Sequence, residues 1–441
     1  MSKFFIHTFG CRCNQSDSAA MRESLCRKSL DEAGSHRDAA LVIVNTCTVT
    51  HRTDRQVRQT VRRLHRENPD ARLVVTGCYA ERDPEALAAI PGVSLVVGNA
   101  DRERLAEIVL DEPRQTGGMI VHSPLDSARD CLVAPMAETG GRTRPFVKLQ
   151  DGCDARCSYC IVPFVRGPGR SARPADVVSE IDNLVRRGYQ EIVLTGVNLG
   201  TYGRKLEPRT SLVDLLRRIL RIQSLGRLRL SSIEPMRFSR EIVRLAVGDR
   251  RFAPHFHVPL QSGSDRILRR MRRPYTSARF LDLLFHIKES LPSAGLGTDI
   301  LVGFPGETEK DFEDTCELVR KAPLTYLHVF PFSAREGTDG FTMGNQVSPS
   351  IIRERAHVLR NISREKNLEF RHRFLGQELP ALTLAKEEEM GESVVLTENY
   401  IHALVSANEI PPNRLVNVSI DRVEPDATYA SIRTHSPRLL S

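Results

Sequence analysis

A chain of 441 residues with 40% hydrophobic and 27% charged residues is too long for one ordinary domain. Its composition is that of a globular protein, not a disordered or fibrous one. Lysine and arginine outnumber aspartate and glutamate by 63 to 55, a net charge of +8, which mildly favours a polyanionic partner. The N-terminus lacks the organisation of a signal peptide and no apolar run approaches the ~20 residues of a membrane span. A cytosolic protein is therefore expected, in which ten cysteines are metal ligands, redox thiols or buried fillers rather than structural disulfides.

The first 110 residues alternate short apolar runs with polar helical patterns. Runs at 3–8, 40–46, 72–76 and 94–97 read as strands, with helices near 16–33, 54–67, 83–89 and 101–111; the alternation predicts a parallel sheet. Residues 112–142 carry Pro, Gly and Ser and read as a connector with one short strand near 119–122. From Pro145 the alternation resumes, with strands at 146–149, 191–195, 227–231, 255–259, 297–301 and 326–330 and helices near 175–187, 211–222, 239–247, 276–290 and 308–321. Six β/α units in succession predict a complete or partial (β/α) barrel, whose sites gather at the carboxyl ends of the strands. A helix near 349–372 follows, then short alternating strands at 379–384, 393–397, 401–405 and 414–420 that suit a small β-barrel. The expected architecture is thus α/β: an open parallel-sheet domain at 1–112, a linker at 113–142, a barrel at 143–372 and a small β-barrel at 373–441.

Cys153, Cys157 and Cys160 form a C-x3-C-x2-C run in the loop after the first barrel strand. Three thiolates this close converge on one metal centre but do not close a four-ligand site, as structural zinc and fully protein-held iron–sulfur clusters require. A position left open at a redox cluster points to chemistry. Three strands of the first domain also run straight into cysteines, at Cys11, Cys47 and Cys78. In a parallel sheet these lie along one rim, where ligands bind in open α/β folds. Separations of 36 and 31 residues hide this second triplet from any local pattern. Chance burial explains one such cysteine; three in the same structural position favour a metal site. Cys13 is a competing thiol beside Cys11, whereas Cys26, Cys131 and Cys316 have no partner pattern, and burial suits Cys316.

The loops at the barrel mouth add Tyr159, placed to pack on a cofactor or simply in the core. Gly196, Glu234 and Gln261 stand at polar or glycine-rich strand ends suited to a ligand. Glu234 is a candidate for holding ribose hydroxyls or an amino group, or else a solvated carboxylate. Arg55, Arg58, Arg62 and Arg66 are spaced by 3, 4 and 4 on one helix face, with Val57, Val61 and Leu64 opposite. Phosphate contact and an ordinary solvated surface are the two readings of this stripe. Arg266, Arg269, Arg270, Arg272 and Arg273 form a second basic cluster with the same ambiguity.

With these motifs the chain resembles the radical S-adenosylmethionine methylthiotransferases over nearly its full length. Within that family it is most similar to the enzymes acting on N6-threonylcarbamoyladenosine at position 37 of tRNA. The stretches Thr8-Phe-Gly-Cys-Arg-Cys-Asn-Gln15, Asn45-Thr-Cys-Thr-Val-Thr50 with the Arg-rich helix, Leu194-Thr-Gly-Val-Asn-Leu-Gly-Thr-Tyr-Gly203 and His257-Val-Pro-Leu-Gln-Ser-Gly263 carry the likeness. Cys13 stands where the family usually has another residue. The resemblance implies a C-terminal TRAM-like module and two [4Fe–4S] clusters, on Cys153, Cys157 and Cys160 and on Cys11, Cys47 and Cys78. It implies S-adenosyl-L-methionine at the open iron of the first cluster, cleaved to a radical that activates C2 of the adenine, and sulfur insertion from the second. It further implies the tRNA anticodon loop, an electron-donor protein and a sulfur source as partners. Rival readings are the modification of prenyladenosine-37 or of a ribosomal protein, and a non-catalytic RNA-binding protein with structural zinc.

Overall fold

The computed structural model describes residues 3–111, 117–127, 131, 133, 143–385, 393–405 and 410–433. The N-terminal sheet has six strands, all parallel, in the order Asp31–Glu32, Lys3–Thr8, Leu41–Thr46, Arg72–Gly77, Val93–Val97, Met119–Val121. Leu41–Thr46 is buried at every position, as expected of a parallel strand covered on both faces. Two boundaries differ from the sequence reading. The first helix is Arg12–Arg27, and the chain turns at Ser29 (φ 63°) into the two-residue edge strand Asp31–Glu32. The short strand near 119–122 is Met119–Val121, which pairs with Val93–Val97 and so extends the N-terminal sheet into the stretch read as connector.

The barrel is partial. Arg227–Leu230, Glu191–Gly196 and Phe146–Asp151 form one parallel sheet, edged by antiparallel Arg170–Ser171. His255–His257, Gly295–Val302 and Tyr326–Pro331 form the other. The two meet through a bridge between Leu228 and Phe252 and a hydrogen bond from Ile233 N to His257 O of 3.0 Å. Alternate residues Leu296, Ile300 and Val302 pack outward into the core beneath the helices, which leaves Gly295, Gly297 and Asp299 facing the lumen. The helix Arg12–Arg27 packs along Phe146–Asp151, so the N-terminal domain covers that side of the lumen.

Five strands, Glu378–Thr383, Ser393–Thr397, His402–Val405, Thr428–Arg433 and Leu415–Val423, close the C-terminal barrel in that order. Thr428–Arg433 lay outside the four strands expected there. The long helix Pro349–His372 bolts this module to the rest. Its Ala356, Leu359 and Ile362 sit in the (β/α) barrel core, whereas Phe370 sits in the core of the small barrel. Arg371 caps the joint by donating to the carbonyls of Glu424 and Ala427, both at 2.9 Å. Among the described residues no helix is long and apolar enough to cross a membrane.

Candidate active site

Cys11, Cys47 and Cys78 follow the carboxyl ends of three neighbouring strands. Cys11 is the N-cap of Arg12–Arg27, Cys47 directly follows Leu41–Thr46, and Cys78 opens the helix Cys78–Arg82 after Gly77. Asn14 ties the rim together. Its Nδ2 donates to Phe9 O and Thr46 O at 2.9 Å each, and its Oδ1 lies 3.7 Å from Cys11 Sγ and 4.0 Å from Cys78 Sγ. Gly10, at φ +98°, is required here, because a Cβ would sit 3.1 Å from Cys47 Sγ. Cys13 is buried beside Cys11, and the hydrogen bond from its thiol draws Cys11 down to about 6 against the effect of burial. Burial, then repulsion from Cys78, pushes Cys47 up to about 12.

Cys153, Cys157 and Cys160 occupy the loop after Phe146–Asp151. Gly152, at φ +69°, leaves the strand where any Cβ would strike Pro168 O at 2.1 Å. Cys153 Sγ accepts from Ala155 N at 3.4 Å and Asn198 Nδ2 at 3.6 Å, and Cys157 Sγ accepts from Arg273 Nη1 at 3.3 Å. Burial, then Cys157, pushes Cys160 up to about 12.

Both triplets fit a cluster better than a lone ion. Among the described residues the one group of three such side chains with ligand atoms all within 4.8 Å is His257, Asp299 and His328. The sulfurs of each cysteine triplet are set wider, whereas three Zn–S bonds of about 2.3 Å would draw them closer. Neighbouring thiols such as the buried Cys47 and the half-buried Cys160 resist ionising together with the rest of their sets unless a cation joins them. Arg335 Nε and Nη1 are buried without a partner, and its Nη2 donates to Thr48 Oγ1 at 2.8 Å, one residue past Cys47. Donors of this kind suit thiolate ligands and sulfide.

The two triplets are neighbours. Cys78 packs in one small apolar cluster with Ile161 and Val165, and Ile161 directly follows Cys160. Beneath that contact lies a buried ionic network. Arg166 donates to Asp151 Oδ1 at 2.7 Å, Asp17 Oδ2 at 2.9 Å and Asn14 Oδ1 at 2.5 Å. Lys148 reaches Asp17 at 2.5 Å and Asp151 at 3.0 Å, and Arg102 reaches the same two carboxylates at 3.0 and 3.1 Å. Burial would raise both acids, but the three cations hold them below the usual carboxylate range. Sequence reading missed this network, because its members come from 17, 102, 148, 151 and 166 and each looks like an ordinary charge.

The other candidates fare unevenly. Glu234 is ion-paired to the buried Arg273, which links it to Cys157 through the same guanidinium. Tyr159 packs against Ile267, Met271, Leu301 and Phe304. Gly196 lets two strand ends approach, since a Cβ would lie 3.1 Å from Gln150 O. Gln261 is held at φ +73°, its N–H on Asp299 O at 2.8 Å. Four members of the second basic cluster are used internally: Arg266 pairs with Asp311, Arg272 with Asp339 and Arg273 with Glu234, and Arg270 donates to Pro305 O at 3.3 Å. Of the helix stripe, Arg55, Arg62 and Arg66 are exposed, while Arg58 donates to Tyr79 OH at 2.5 Å.

The lumen itself is polar and aromatic. His257 Nε2 and His328 Nδ1 both approach Asp299 Oδ1, at 3.1 and 3.3 Å, and Ser232 Oγ fixes the far side of His257 at 2.8 Å. Burial would raise Asp299, yet the two imidazoles bring it to about 2. His328 and Phe330 are exposed, with ring centroids 6.3 Å apart. Beside Cys157 opens a cavity of about 540 Å³ lined by Arg156, Arg204, Lys205, Arg209, Arg237 and Arg272 against the carboxylate of Asp154.

Known proteins resemble this chain over most of its length. The model "Uncharacterized protein family UPF0004" matches residues 3–98 and "Radical SAM superfamily" matches residues 147–319. The chain is 34% identical to "Threonylcarbamoyladenosine tRNA methylthiotransferase MtaB" of Bacillus subtilis (strain 168), covering 95% of this chain and 94% of that protein. It is 34% identical to "tRNA-2-methylthio-N(6)-dimethylallyladenosine synthase" of Clostridium novyi (strain NT), covering 83% of each. Among solved structures, the radical S-adenosylmethionine methyltransferase TsrM of Kitasatospora setae superposes with a TM-score of 0.56 at 17% identity, covering 75% of this chain and 73% of that one, a likeness of fold. With near-full-length relatives at this identity and a barrel whose mouth carries the C-x3-C-x2-C loop, the chain belongs to the radical S-adenosylmethionine tRNA methylthiotransferase family.

Proposed function

We propose that this protein transfers a methylthio group to C2 of N6-threonylcarbamoyladenosine at position 37 of tRNA. The observation that supports the reading is the nearness of the two cysteine triplets: Cys78 shares one small apolar cluster with Ile161, the residue that follows Cys160, so that two metal centres would stand beside one lumen. Cys153, Cys157 and Cys160 would hold one [4Fe–4S] cluster and Cys11, Cys47 and Cys78 a second, the first supplying with S-adenosylmethionine the radical that activates the base and the second the sulfur that is inserted. Asn198 and Arg273 donate to the sulfurs of the first set, and Arg273 orients Glu234 toward the same loop; Glu234, Gly196, Gln261 and Tyr159 frame the S-adenosylmethionine site.

A base inside a nucleic acid must be splayed out to reach such a lumen, and aromatic faces receive it by stacking. The exposed rings of His328 and Phe330 meet that need. The basic cavity beside Cys157 and the exposed arginines of His51–Glu67 supply phosphate contacts. An electron-donor protein and a sulfur source complete the partner set.

Two measurements test the proposal. Anaerobically purified protein should be brown and carry about eight irons per chain, as two four-iron clusters require; colourless protein with zinc would refute it. Nucleoside mass spectrometry of tRNA from a deletion strain should show loss of 2-methylthio-N6-threonylcarbamoyladenosine. Loss of the prenyladenosine derivative alone would move the enzyme to the other branch of its family.

A further inference from the structure

The deepest part of the lumen is built by all three domains. The turn between Ser393–Thr397 and His402–Val405 of the small barrel is pushed into the base of the larger one. Arg229 donates to Glu398 O at 3.0 Å and Thr397 O at 3.3 Å, and Asn399 Nδ2 donates to Ser293 O at 3.2 Å. Gly295 makes room, since a Cβ there would lie 2.2 Å from Asn399 O. The turn presents Tyr400, held at φ +79°. A bulky residue in the left-handed region is strained, and such strain concentrates at functional sites. Its ring stacks on His255 at 4.0 Å between centroids and lies 6.0 Å from Tyr326, both on the lumen row that continues to His257 and His328.

Arg12 of the N-terminal domain meets Tyr400 there. Its Nη2 donates to Tyr400 OH at 3.2 Å and its guanidinium lies 5.6 Å from the Phe146 ring centroid. No carboxylate comes within 4.0 Å of Arg12 among the described residues, although most arginines around the lumen have one. Arg144, Arg227 and Arg229 share the buried Glu191 at 3.4, 3.4 and 2.8 Å, and Asp299 is committed to two imidazoles. Glu398 faces Arg227, Arg229 and the exposed Arg250, not Arg12. With Asp299 held by the imidazoles, Arg12, Arg144, Arg227 and Arg229 stand against Glu191 and Glu398 at this end of the lumen, an excess of positive charge that calls for an anion. Because Tyr400 OH accepts from Arg12, its own proton is free to donate to the same anion.

We propose that Arg12 and Tyr400 form the subsite that takes the carboxylate of the amino-acid arm carried by the substrate adenine, and so choose a threonylcarbamoyl over an uncharged prenyl arm. This rests on the function proposed above. A planar guanidinium is the side chain suited to a carboxylate, and Arg12 immediately follows Cys11, so arm and sulfur-inserting centre are read from one loop.

The test uses the full-length, anaerobically reconstituted enzyme and three anticodon stem-loops: threonylcarbamoyladenosine-37, the same arm with its carboxylate converted to carboxamide, and prenyladenosine-37. Anisotropy gives Kd, and methylthiolation gives KM. Wild type should bind the carboxylate stem-loop on the order of ten- to a hundredfold more tightly than the carboxamide, the worth of one charged hydrogen-bonded contact. Arg12→Gln should lose that preference while keeping its iron content, Arg12→Lys should keep part of it, and Tyr400→Phe should lose less than Arg12→Gln. An undiminished preference in Arg12→Gln, or none in wild type, overturns the subsite. Should Arg12→Gln lose iron, Arg12→Lys and Tyr400→Phe decide by the same preference. Wild type that methylthiolates prenyladenosine alone overturns the function proposed above, and the subsite with it.

Discussion

The two cysteine triplets look alike in composition but are made in different ways. Cys153, Cys157 and Cys160 lie within eight residues of one loop, so chain connectivity alone keeps them together. Cys11, Cys47 and Cys78 are brought together only when three parallel strands pair. The first set is a property of a segment and the second of a sheet. A locally encoded site survives modest damage to its surroundings, whereas a topological one fails with the domain that assembles it.

The most direct way to break the comparison is to remove one thiol from each set. Cys157→Ala should abolish 5′-deoxyadenosine formation, and Cys47→Ala should leave it while abolishing the methylthiolated product, each variant keeping roughly half the iron. Loss of both readouts in Cys47→Ala would show that the sites are not separable. Next in size is the network between them. Asp17→Asn strands Lys148, Arg102 and Arg166 beside one remaining acid, and breaking a buried ion pair in this way costs about 3–5 kcal/mol. The midpoint of urea unfolding should fall accordingly, and iron should be lost first from the sheet-built site.

The barrel base can be probed by pH. Burial would raise Glu191, but Arg229, then Arg144 and Arg227, bring it from an ordinary value of 4.5 to about 2. A depressed carboxylate stabilises the fold above its unfolded value and stops doing so as pH falls through the folded one. Roughly 3 kcal/mol should therefore disappear between about pH 4.5 and 2, and Glu191→Gln should flatten that part of the stability profile. A smaller effect is expected at the seam where the sheet docks on the barrel. Arg335 donates to Asp54 at 2.5 Å and Thr48 at 2.8 Å, so Arg335→Gln should cost about 1–3 kcal/mol, seen as earlier proteolysis between the domains. Smallest is the helix stripe. Replacing Arg55, Arg62 and Arg66 with Ala should weaken tRNA binding without changing 5′-deoxyadenosine formation, and should lower the slope of log affinity against log salt by about 0.7–0.9 per lost phosphate contact; an unchanged slope would assign the stripe to solvent.

Much of this was legible beforehand. The alternation of apolar runs with helical patterns places all six barrel strands, and cysteines at strand ends mark the rim. Errors arose where local pattern and tertiary setting part company. The first helix ends early because Ser29 turns the chain toward an edge strand. Thr428–Arg433 was passed over, being a short strand beyond the last expected one. The sequence left the arginines from Arg266 to Arg273 open between phosphate contact and ordinary surface, because their partners Asp311, Asp339 and Glu234 are distant in sequence.

The sequence by itself determined the order of elements, the parallel sheets and the two sets of three thiols, because periodicity and spacing are local and survive without a fold. Only the tertiary structure decided that Cys78 shares an apolar cluster with the residue after Cys160, that five buried charges join the N-terminal domain to the barrel beside it, and that Arg12 meets Tyr400 in the lumen. Those facts depend on pairings across up to 388 residues, and what an arginine does is set by the carboxylate it meets, which no local pattern records.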